Sequence, residues 1–296
     1  MNTTTLSFQS NRVGDILRRF HQDLDEHYGR GEVSTFCQML FEAFLGWDRL
    51  RLLTSHQQTI NQSDLLRLHW ALEDLRRHRP IQHIIGHTDF CGCRIAVGPE
   101  VLIPRPETEE MVMQTLHHTG SATAPLTVVD LCTGSGCIAI AIAKQLPASQ
   151  VTGIDISPAA LALARRNAAN NQVAVDFVQD DLLDPDIVQR HPHSADLIVC
   201  NPPYVADAER QQMQPNVLDH EPALALFVPD DDPLRFYRAL ADVAWQWLKP
   251  GGNLVAEINE HYGAATLQLF IRRGFSGALE RDFRGKERVV RLVKPE

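Results

Sequence analysis

Short apolar runs alternate with helix-like patterns through the chain from residue 126 onward. The first run, residues 126–131, leads into a glycine-bearing turn and then into an apolar helical pattern over residues 137–146. Similar runs lie at residues 151–154, 173–178, 197–200 and 254–258. Strands that alternate with helices favour a parallel sheet with helices on both faces. The sequence therefore predicts an α/β fold with a mostly parallel, doubly wound sheet.

The region before residue 79 has a purely helical pattern. Apolar side chains there recur at spacings of three and four residues, as on one face of an amphipathic helix. Ser34 and Ser63 are the expected N-caps of the second and third helices, since a serine hydroxyl can accept from a free amide of the first turn. Trp47 and Trp70 lie within these patterns and are expected in the core. We predict a small helical domain over residues 1–78, with a role in substrate recognition.

The segment between these two regions has the character of a connector. The dipeptide Arg79-Pro80 ends the helical pattern, because the residue before a proline is disfavoured in helical conformation. Turn residues and short alternation over residues 88–97 then predict a β-hairpin. The prolines of the following stretch, residues 102–109, fix an extended approach, and Thr108 or Glu107 then starts the next helix. We therefore divide the chain into a connector over residues 79–105 and a second domain over residues 106–296.

The amino-acid composition excludes several classes of protein. Lys and Arg number 28 against 37 Asp and Glu, so the formal charge is −9, which is unsuited to tight generic binding of nucleic acid. The six cysteines include no CxxC pair and most lie in apolar runs, so we interpret them as buried thiols of a reducing compartment and predict no metal site. The start Met1–Thr5 lacks a basic region, and no stretch reaches eighteen apolar residues. We expect a cytoplasmic protein without a nucleic-acid or membrane partner.

The run at residues 197–200 ends in the tetrapeptide Asn201-Pro202-Pro203-Tyr204. Its prolines end the strand at once, because proline cannot donate to a sheet ladder. Ligands in open α/β sheets bind at the carboxyl ends of strands. The loop offers an amide side chain, a backbone carbonyl and an aromatic ring, which suit a planar NH2 group. By itself the tetrapeptide is equally compatible with a simple strand-ending turn.

A second group of candidate ligands surrounds the turn after the first run. The turn Cys132–Gly136 would let a ligand approach the amino terminus of a helix. Asp155 ends the second run, nineteen residues after Gly136, where an acid can grip a ribose diol. No G-x-G-x-x-G spacing or P-loop accompanies it, which favours a nucleoside without phosphates, such as S-adenosylmethionine. Asp181, after the third run, would accept from the adenine amine.

With these motifs the chain resembles the glutamine methyltransferases that act on bacterial peptide chain release factors. The resemblance covers nearly the whole chain and rests on Arg79-Pro80-Ile81-Gln82 with Gly86 and Phe90, on Val101 through Glu109, on Asp130 through Gly136, on Asp155 through Pro158 and on Asn201 through Tyr204. Further matches are Glu221-Pro222, Pro250-Gly251-Gly252, Gly274-Phe275 and the spaced Asp282, Gly285 and Arg288.

The resemblance implies a Rossmann-like class I methyltransferase that acts in translation termination. Such an enzyme uses S-adenosylmethionine, releases S-adenosylhomocysteine, and methylates the side-chain amide nitrogen of the glutamine in the Gly-Gly-Gln motif. Three alternatives stay open: a glutamine methyltransferase of a ribosomal protein, a nucleic-acid amino (adenine) methyltransferase, and a non-catalytic module that binds the cofactor and a partner. The Asn-Pro-Pro-Tyr motif is shared with enzymes that methylate amino groups of DNA and RNA, so the proline-rich stretch at 102–109 is the more specific signal.

The resemblance also implies roles for particular residues. Catalysis is assigned to Asn201, Pro202 and Tyr204, and substrate binding to these three residues with Pro203. Cofactor binding is assigned to Cys132, Thr133, Gly134, Ser135, Gly136, Asp155, Asp181, Leu182 and Asn201. Two positions depart from the family pattern. Cys132 stands where a glycine is usual, and its Cβ is expected to crowd the ligand or restrict φ. Leu182 stands where some relatives have tryptophan beside the adenine.

Overall fold

The computed structural model describes residues 8–119, 124–191 and 194–296. These residues divide into two compact units. Unit 1 contains the described residues up to Gly86 together with Pro215–His220, and unit 2 contains His87–Gln214 and Glu221–Glu296. The expected connector, residues 79–105, is thus shared between the units. The N-terminal stretch Met1–Thr5 lies outside the described residues.

Unit 1 is helical because its apolar side chains recur at helical spacing and share one core. Phe20, Leu40 and Leu72 come from three different helices and are fully buried together. Its helices in chain order are α1 Val13–Tyr28, α2 Arg30–Leu45, α3 Arg49–Thr54, α4 Gln62–Arg76 and α5 Ile81–Ile85.

Both N-caps expected in this region were wrong. Helix α2 begins directly after Gly29, whose φ of 79° ends α1, and Ser34 lies inside α2 with its hydroxyl donating to the Arg30 carbonyl (2.9 Å). Helix α4 is capped by Asn61, whose side chain accepts from the Asp64 amide (2.9 Å). Asparagine and serine are about equally good caps, so residue type alone could not select between neighbouring candidates.

The two tryptophans of unit 1 have different environments. Trp47 is buried, as expected. Trp70 is 50% exposed, so its prediction as a core residue was wrong. Helix α4 buries a stripe through Leu68 and Leu72, and residue 70 lies midway between them in sequence. A residue two positions from a buried one points to the other side of a helix.

Unit 2 carries the sheet and most of the remaining elements. Its elements in chain order are β1 His87–Phe90, β2 Cys93–Ala96, α6 Pro106–Thr119, β3 Thr127–Leu131, α7 Cys137–Gln145, β4 Gln150–Asp155, α8 Pro158–Asn170, β5 Asp176–Gln179, α9 Ile187–Arg190, β6 Ala195–Cys200, β7 Val205–Ala206, α10 Pro215–Leu218 (which groups with unit 1), β8 Phe227–Val228, α11 Arg235–Trp247, β9 Leu248–Glu257, α12 Gly263–Arg273, β10 Ser276–Arg281 and β11 Glu287–Val293. Short 3-10 helices lie at Asp207–Gln212, Ala223–Ala225 and Glu260–Tyr262.

The main sheet has the strand order β10-β11-β9-β6-β3-β4-β5 within the described part of the chain. Strands β9, β6, β3, β4 and β5 run parallel, β11 pairs antiparallel with β9, and β10 pairs antiparallel with β11. The predicted mostly parallel sheet is therefore confirmed. The strand expected at residues 173–178 begins only at Asp176, because the amides of residues 171–173 still bond to carbonyls at the end of α8.

The sheet is covered on both faces. Val128 and Val129 are neighbours on β3, and they are buried in two different apolar clusters, since successive side chains of a strand point to opposite faces. The parallel strands β3, β4 and β6 end at Leu131, Asp155 and Cys200. Because parallel strands end at one edge of a sheet, the turns that follow these three residues come together there.

Helix α8 begins with a serine cap and a proline. The Ser157 hydroxyl accepts from the Ala160 amide (3.2 Å), and Pro158 occupies the first helical position. This cap fixes the direction in which the chain leaves Asp155. Among the described residues, the helices are all too short or too polar to cross a membrane.

Candidate active site

A cavity of about 330 Å³ opens at the carboxyl edge of the sheet in unit 2. This volume lies within the usual range for small-molecule sites. The predicted site residues that line it are Cys132, Thr133, Gly134, Ser135, Asp155, Asp181, Leu182, Asn201 and Pro203. Gly136, Pro202 and Tyr204 are not part of its lining. The structure thus brings most of the cofactor-binding candidates and the start of the Asn-Pro-Pro-Tyr loop to one cavity.

Asp155 is held at the end of β4 by backbone donors. Its Oδ2 accepts from the Gly134 amide (2.8 Å) and its Oδ1 from the Ser157 amide (2.9 Å). Burial raises the pKa of the carboxyl, and the backbone hydrogen bonds from Ser157 and Gly134 act in the opposite direction. Each carboxylate oxygen can accept a further hydrogen bond. Asp155 is therefore a fixed acceptor pair on the cavity wall, suited to a vicinal diol.

The turn Cys132–Gly136 is held by a second acid, Asp130, which is fully buried. The sequence patterns placed this residue in a strand and gave it no separate role. Oδ2 of Asp130 accepts from the Thr133 hydroxyl (2.5 Å) and from the Ala139 amide (3.1 Å). Its Oδ1 has no hydrogen-bond partner among the described residues. Burial raises the pKa of Asp130 to about 7. Asp130 thus ties the turn to the first turn of α7 and keeps its own charge away from the cavity lining.

The backbone of the turn is left-handed at three positions. Cys132, Gly134 and Gly136 have φ values of 60°, 52° and 79°. Such values favour glycine, so the cysteine at position 132 is strained. Gly136 has a packing role, because a Cβ there would lie 3.0 Å from the Cβ of Ala164.

The acids after β5 have different surroundings. Asp180 is bonded to the Arg190 guanidinium (2.6 Å), which holds the pKa of that carboxyl below its usual range. Oδ1 of Asp181 accepts only from the Leu183 amide (2.8 Å) in the described part of the chain, and the residue lines the cavity beside Leu182. Asp181 is therefore the acid with free acceptor capacity at this position.

The opposite side of the cavity is built by a side-chain network that the sequence did not reveal. Nδ2 of Asn201 donates to the Thr108 hydroxyl oxygen (3.2 Å), and the Thr108 hydroxyl donates to Oε2 of Glu257 (2.5 Å). Glu257 is 1% exposed, and burial raises the pKa of its carboxyl. The available signal was the position of Glu257 at the end of an apolar run, the same signal that identified Asp155.

Tyr204 enters this network through its hydroxyl. The hydroxyl donates to Oε1 of Glu257 (2.7 Å), and the Asn259 side chain donates to the Tyr204 carbonyl (3.0 Å). Nδ2 of Asn259 also donates to Glu209 (2.8 Å), which itself accepts from the backbone that follows the loop. The Tyr204 end of the Asn-Pro-Pro-Tyr loop is thus fixed directly to the end of β9 and the residues just after it, and the Asn201 end is linked to β9 through Thr108.

The proline-rich stretch is fixed to the cavity by another buried acid. Glu221 accepts from the Ile103 amide (3.0 Å) and from the Arg105 guanidinium (2.5 Å). Arg105 and Pro222 both line the cavity. The ion pair therefore joins two cavity walls that are far apart in sequence. Within the described ranges, His, Cys, Asp and Glu form no cluster that could hold a metal ion.

Comparison with known proteins identifies first the class and then the family. Residues 108–221 match the family described as "Methyltransferase small domain", and residues 15–86 match the "PrmC N-terminal domain". A methyltransferase from Pyrococcus furiosus has the same fold at a TM-score of 0.51 and 19% identity, covering 69% of this chain and 90% of that one. Fold and site thus define a Rossmann-like methyltransferase.

Curated relatives then give the family. The release factor glutamine methyltransferase of Flavobacterium psychrophilum is 37% identical over 93% of this chain and 96% of its own length. That of Bacteroides thetaiotaomicron is 38% identical over 95% of this chain and 98% of its own length. The chain belongs to the release factor glutamine methyltransferase family.

Proposed function

We propose that this chain transfers a methyl group from S-adenosylmethionine to the side-chain amide nitrogen of the glutamine in the Gly-Gly-Gln motif of peptide chain release factors. The observation that carries the proposal is the shared cavity. Asp155, an acceptor pair suited to a ribose, and Asn201, an amide suited to an amide substrate, line the same space. The family of the curated relatives supports the choice of substrate.

The residues of the turn and of the adjacent strand ends fit the cofactor. The Asp155 carboxylate would accept from both ribose hydroxyls, Asp181 would accept from the adenine amine, and Leu182 would pack against the base. S-adenosylmethionine has no phosphates, which agrees with a turn that lacks a phosphate-binding spacing. When bound, the cofactor supplies an electrophilic methyl group on a positively charged sulfur.

The Asn-Pro-Pro-Tyr loop would orient the substrate amide. An amide nitrogen is a poor nucleophile because its lone pair is delocalised into the carbonyl. Oδ1 of Asn201 and the Pro202 carbonyl would accept its two hydrogens and aim the nitrogen at the methyl group. The same two acceptors stabilise the positive charge that develops on nitrogen as its new bond to carbon forms. The nitrogen then loses one proton to solvent, so no side chain is needed as a base.

Unit 1 would recognise the protein substrate. It exposes four large apolar side chains on α3 and α4: Leu50, Leu53, Leu66 and Trp70. Leu66 and Trp70 are one helical turn apart and so lie on the same face of α4. Exposed apolar residues of this kind are typical of protein-binding surfaces. The net charge of −9 favours a protein over a nucleic-acid substrate, and the proposed role in translation termination supports a cytoplasmic location.

The substrate is tested by mass spectrometry. Purified release factor, ribosomal proteins and an adenine-containing oligonucleotide are each incubated with the enzyme and S-adenosylmethionine. We expect a gain of one methyl group on release factor alone, located by fragmentation at the glutamine of Gly-Gly-Gln. Methylation of a ribosomal protein or of the oligonucleotide in preference to release factor would overturn the proposal.

The role of unit 1 is tested by Trp70→Ala. We expect kcat/KM on intact release factor to fall about tenfold, the usual scale for an aromatic contact residue. The rate on a short Gly-Gly-Gln peptide should stay unchanged. Met113→Ala is the matched control, because Met113 is similarly exposed (59%) but lies on α6 of unit 2. Equal losses on the peptide and on the intact factor would place the contact elsewhere.

A further inference from the structure

We propose that Glu257 and Thr108 are positioning residues that fix the orientation of the Asn201 side-chain amide. The structure joins the three side chains in one line of hydrogen bonds from the interior to the cavity. The proposal rests on the proposed role of Asn201 as an acceptor for the substrate amide. It adds the physical reason why the acceptor oxygen, and not the NH2 group, faces the substrate.

The direction of the line follows from its buried end. The Thr108 hydroxyl donates its single hydrogen to Oε2 of Glu257 (2.5 Å). The Thr108 oxygen is then left as an acceptor only. Because an acceptor needs a donor opposite it, Nδ2 of Asn201 faces Thr108. Oδ1 of Asn201, which has no partner among the described residues, is thereby left free to accept from a ligand in the cavity.

Without this line the two orientations of the amide would be nearly equivalent. The two ends of an asparagine amide have almost the same shape, and only their hydrogen-bonding character differs. A reversed Asn201 would present NH2 to the substrate NH2, so two donors would face each other. Fixing the amide in advance avoids that arrangement at the moment of reaction.

The surroundings of Glu257 support its role as a positioning residue for the Thr108 hydroxyl. Its two oxygens accept from two hydroxyls, those of Thr108 and Tyr204, although it is 1% exposed. Within the described residues no Lys, Arg or His nitrogen lies within ion-pair distance of it. Arg288, the cation that interacts with it at longer range, is bonded to Asp282 instead (3.4 Å). Burying a carboxylate without a paired cation is costly in free energy, and hydrogen bonds from the two hydroxyls reduce that cost. Glu257 thereby holds both hydroxyls in a fixed orientation.

The test compares Thr108→Val, Thr108→Ser and Glu257→Gln. Valine has the shape of threonine without the hydroxyl, and serine keeps the hydroxyl. A glutamine at position 257 can donate to the Thr108 oxygen, so the hydrogen bonds that join residues 257, 108 and 201 can point in either direction. We expect Thr108→Val and Glu257→Gln each to lower kcat about tenfold, with little change in the dissociation constant of S-adenosylmethionine. Thr108→Ser should recover most of the lost rate.

The double variant separates positioning from simple destabilisation. If Glu257 acts through Thr108, Thr108→Val combined with Glu257→Gln should lose no more than about the larger single effect, whereas independent effects would multiply. Thr115→Val is the matched control: it removes a buried hydroxyl from the same helix that bonds only to its own backbone and, weakly, to Arg291. A parental kcat in Thr108→Val, multiplicative losses, or an equal loss in Thr115→Val would overturn the proposal.

An NMR measurement gives a readout that needs no substrate. The Asn201 NH2 signal, assigned by its absence in Asn201→Asp, should exchange slowly with water in the parent and in Thr108→Ser. In Thr108→Val its exchange should quicken at least tenfold, because the donor has lost its acceptor. Failure of methyl transfer in the parent would defeat the proposed function alone. Unchanged exchange in Thr108→Val would defeat the positioning role whatever the substrate is.

Discussion

The two sides of the cavity are built in different ways. On the side proposed to bind the cofactor, called here the cofactor side, Asp155 bonds to amides 21 and 2 residues away in sequence. On the side proposed to orient the substrate amide, called here the transfer side, the bonds of Asn201 to Thr108 and of Thr108 to Glu257 span 93 and 149 residues. The first side uses backbone donors from adjacent turns. The second uses side chains from α6, the loop after β6 and the end of β9.

This difference determines how each side responds to mutation. Backbone amides remain after any side-chain substitution, so the cofactor side should depend mainly on Asp155 itself. The transfer side depends on several side chains at once, and removing any of them leaves a buried partner unsatisfied. We therefore expect losses in binding from changes on the first side and losses in kcat from changes on the second.

Asn201→Ala should have the largest effect. It removes the oriented acceptor, and loss of one such group in a closed site lowers kcat by about 10²–10³. The fold should persist, because Asn201 is only partly buried and lies in a loop. Single-turnover transfer of labelled methyl to release factor measures the effect, with the exposed Asn170→Ala as the control. A near-parental rate would remove Asn201 from the chemistry and end the contrast between the two sides.

Asp155→Ala should weaken cofactor binding by about tenfold or more. The carboxylate would make two charge-assisted hydrogen bonds to the ribose, each contributing about 1.5–3 kcal/mol. Calorimetry with S-adenosylmethionine measures the loss, and Asp176→Ala, an exposed acid at the start of β5, serves as the control. Equal affinity in variant and parent would place the ribose elsewhere. A loss confined to kcat would show that the two sides are not separable.

Tyr204→Phe tests the transfer side through stability. In the structure the hydroxyl donates to buried Glu257, so the phenylalanine variant leaves an acceptor with one donor fewer. We expect a loss of about 1–3 kcal/mol in the free energy of unfolding, measured by denaturant titration. Tyr204→Ala should lose more, because the ring packs against the core as well. Parental stability in Tyr204→Phe would show that the hydrogen bond from Tyr204 to Glu257 contributes little to the free energy of unfolding.

Cys132→Gly should have the smallest effect and the opposite sign. A φ of 60° costs a cysteine about 1–2 kcal/mol, and the greater freedom of glycine in the unfolded chain offsets part of the gain. We expect a modest rise in melting temperature and cofactor binding at least as tight as in the parent. Cys91→Gly is the matched control, with a φ of 48° away from the cavity lining. Weaker cofactor binding in Cys132→Gly alone would make the thiol a needed contact.

The contrast between the two sides also describes what sequence reasoning could reach. The sheet, the cap at Ser157, the strand-end acid Asp155 and the gathering of Asp181 and Asn201 at one edge all follow from short patterns. Apolar runs, glycine turns and strand-end acids act over a few residues, and parallel strands bring their ends together by geometry alone. These features can be recognised without knowing which helix packs where.

Tertiary structure alone decided the rest. The sequence indicated only a helix start at Thr108 and a strand end at Glu257. The ion pair of Arg105 with Glu221 joins segments 116 residues apart. The exposure of Trp70 likewise depended on which face of α4 found a partner. Hydrogen bonds between distant side chains depend on distances of a few tenths of an ångström, which are set by the packing of whole elements. Local sequence patterns determine the elements, but they do not contain those distances.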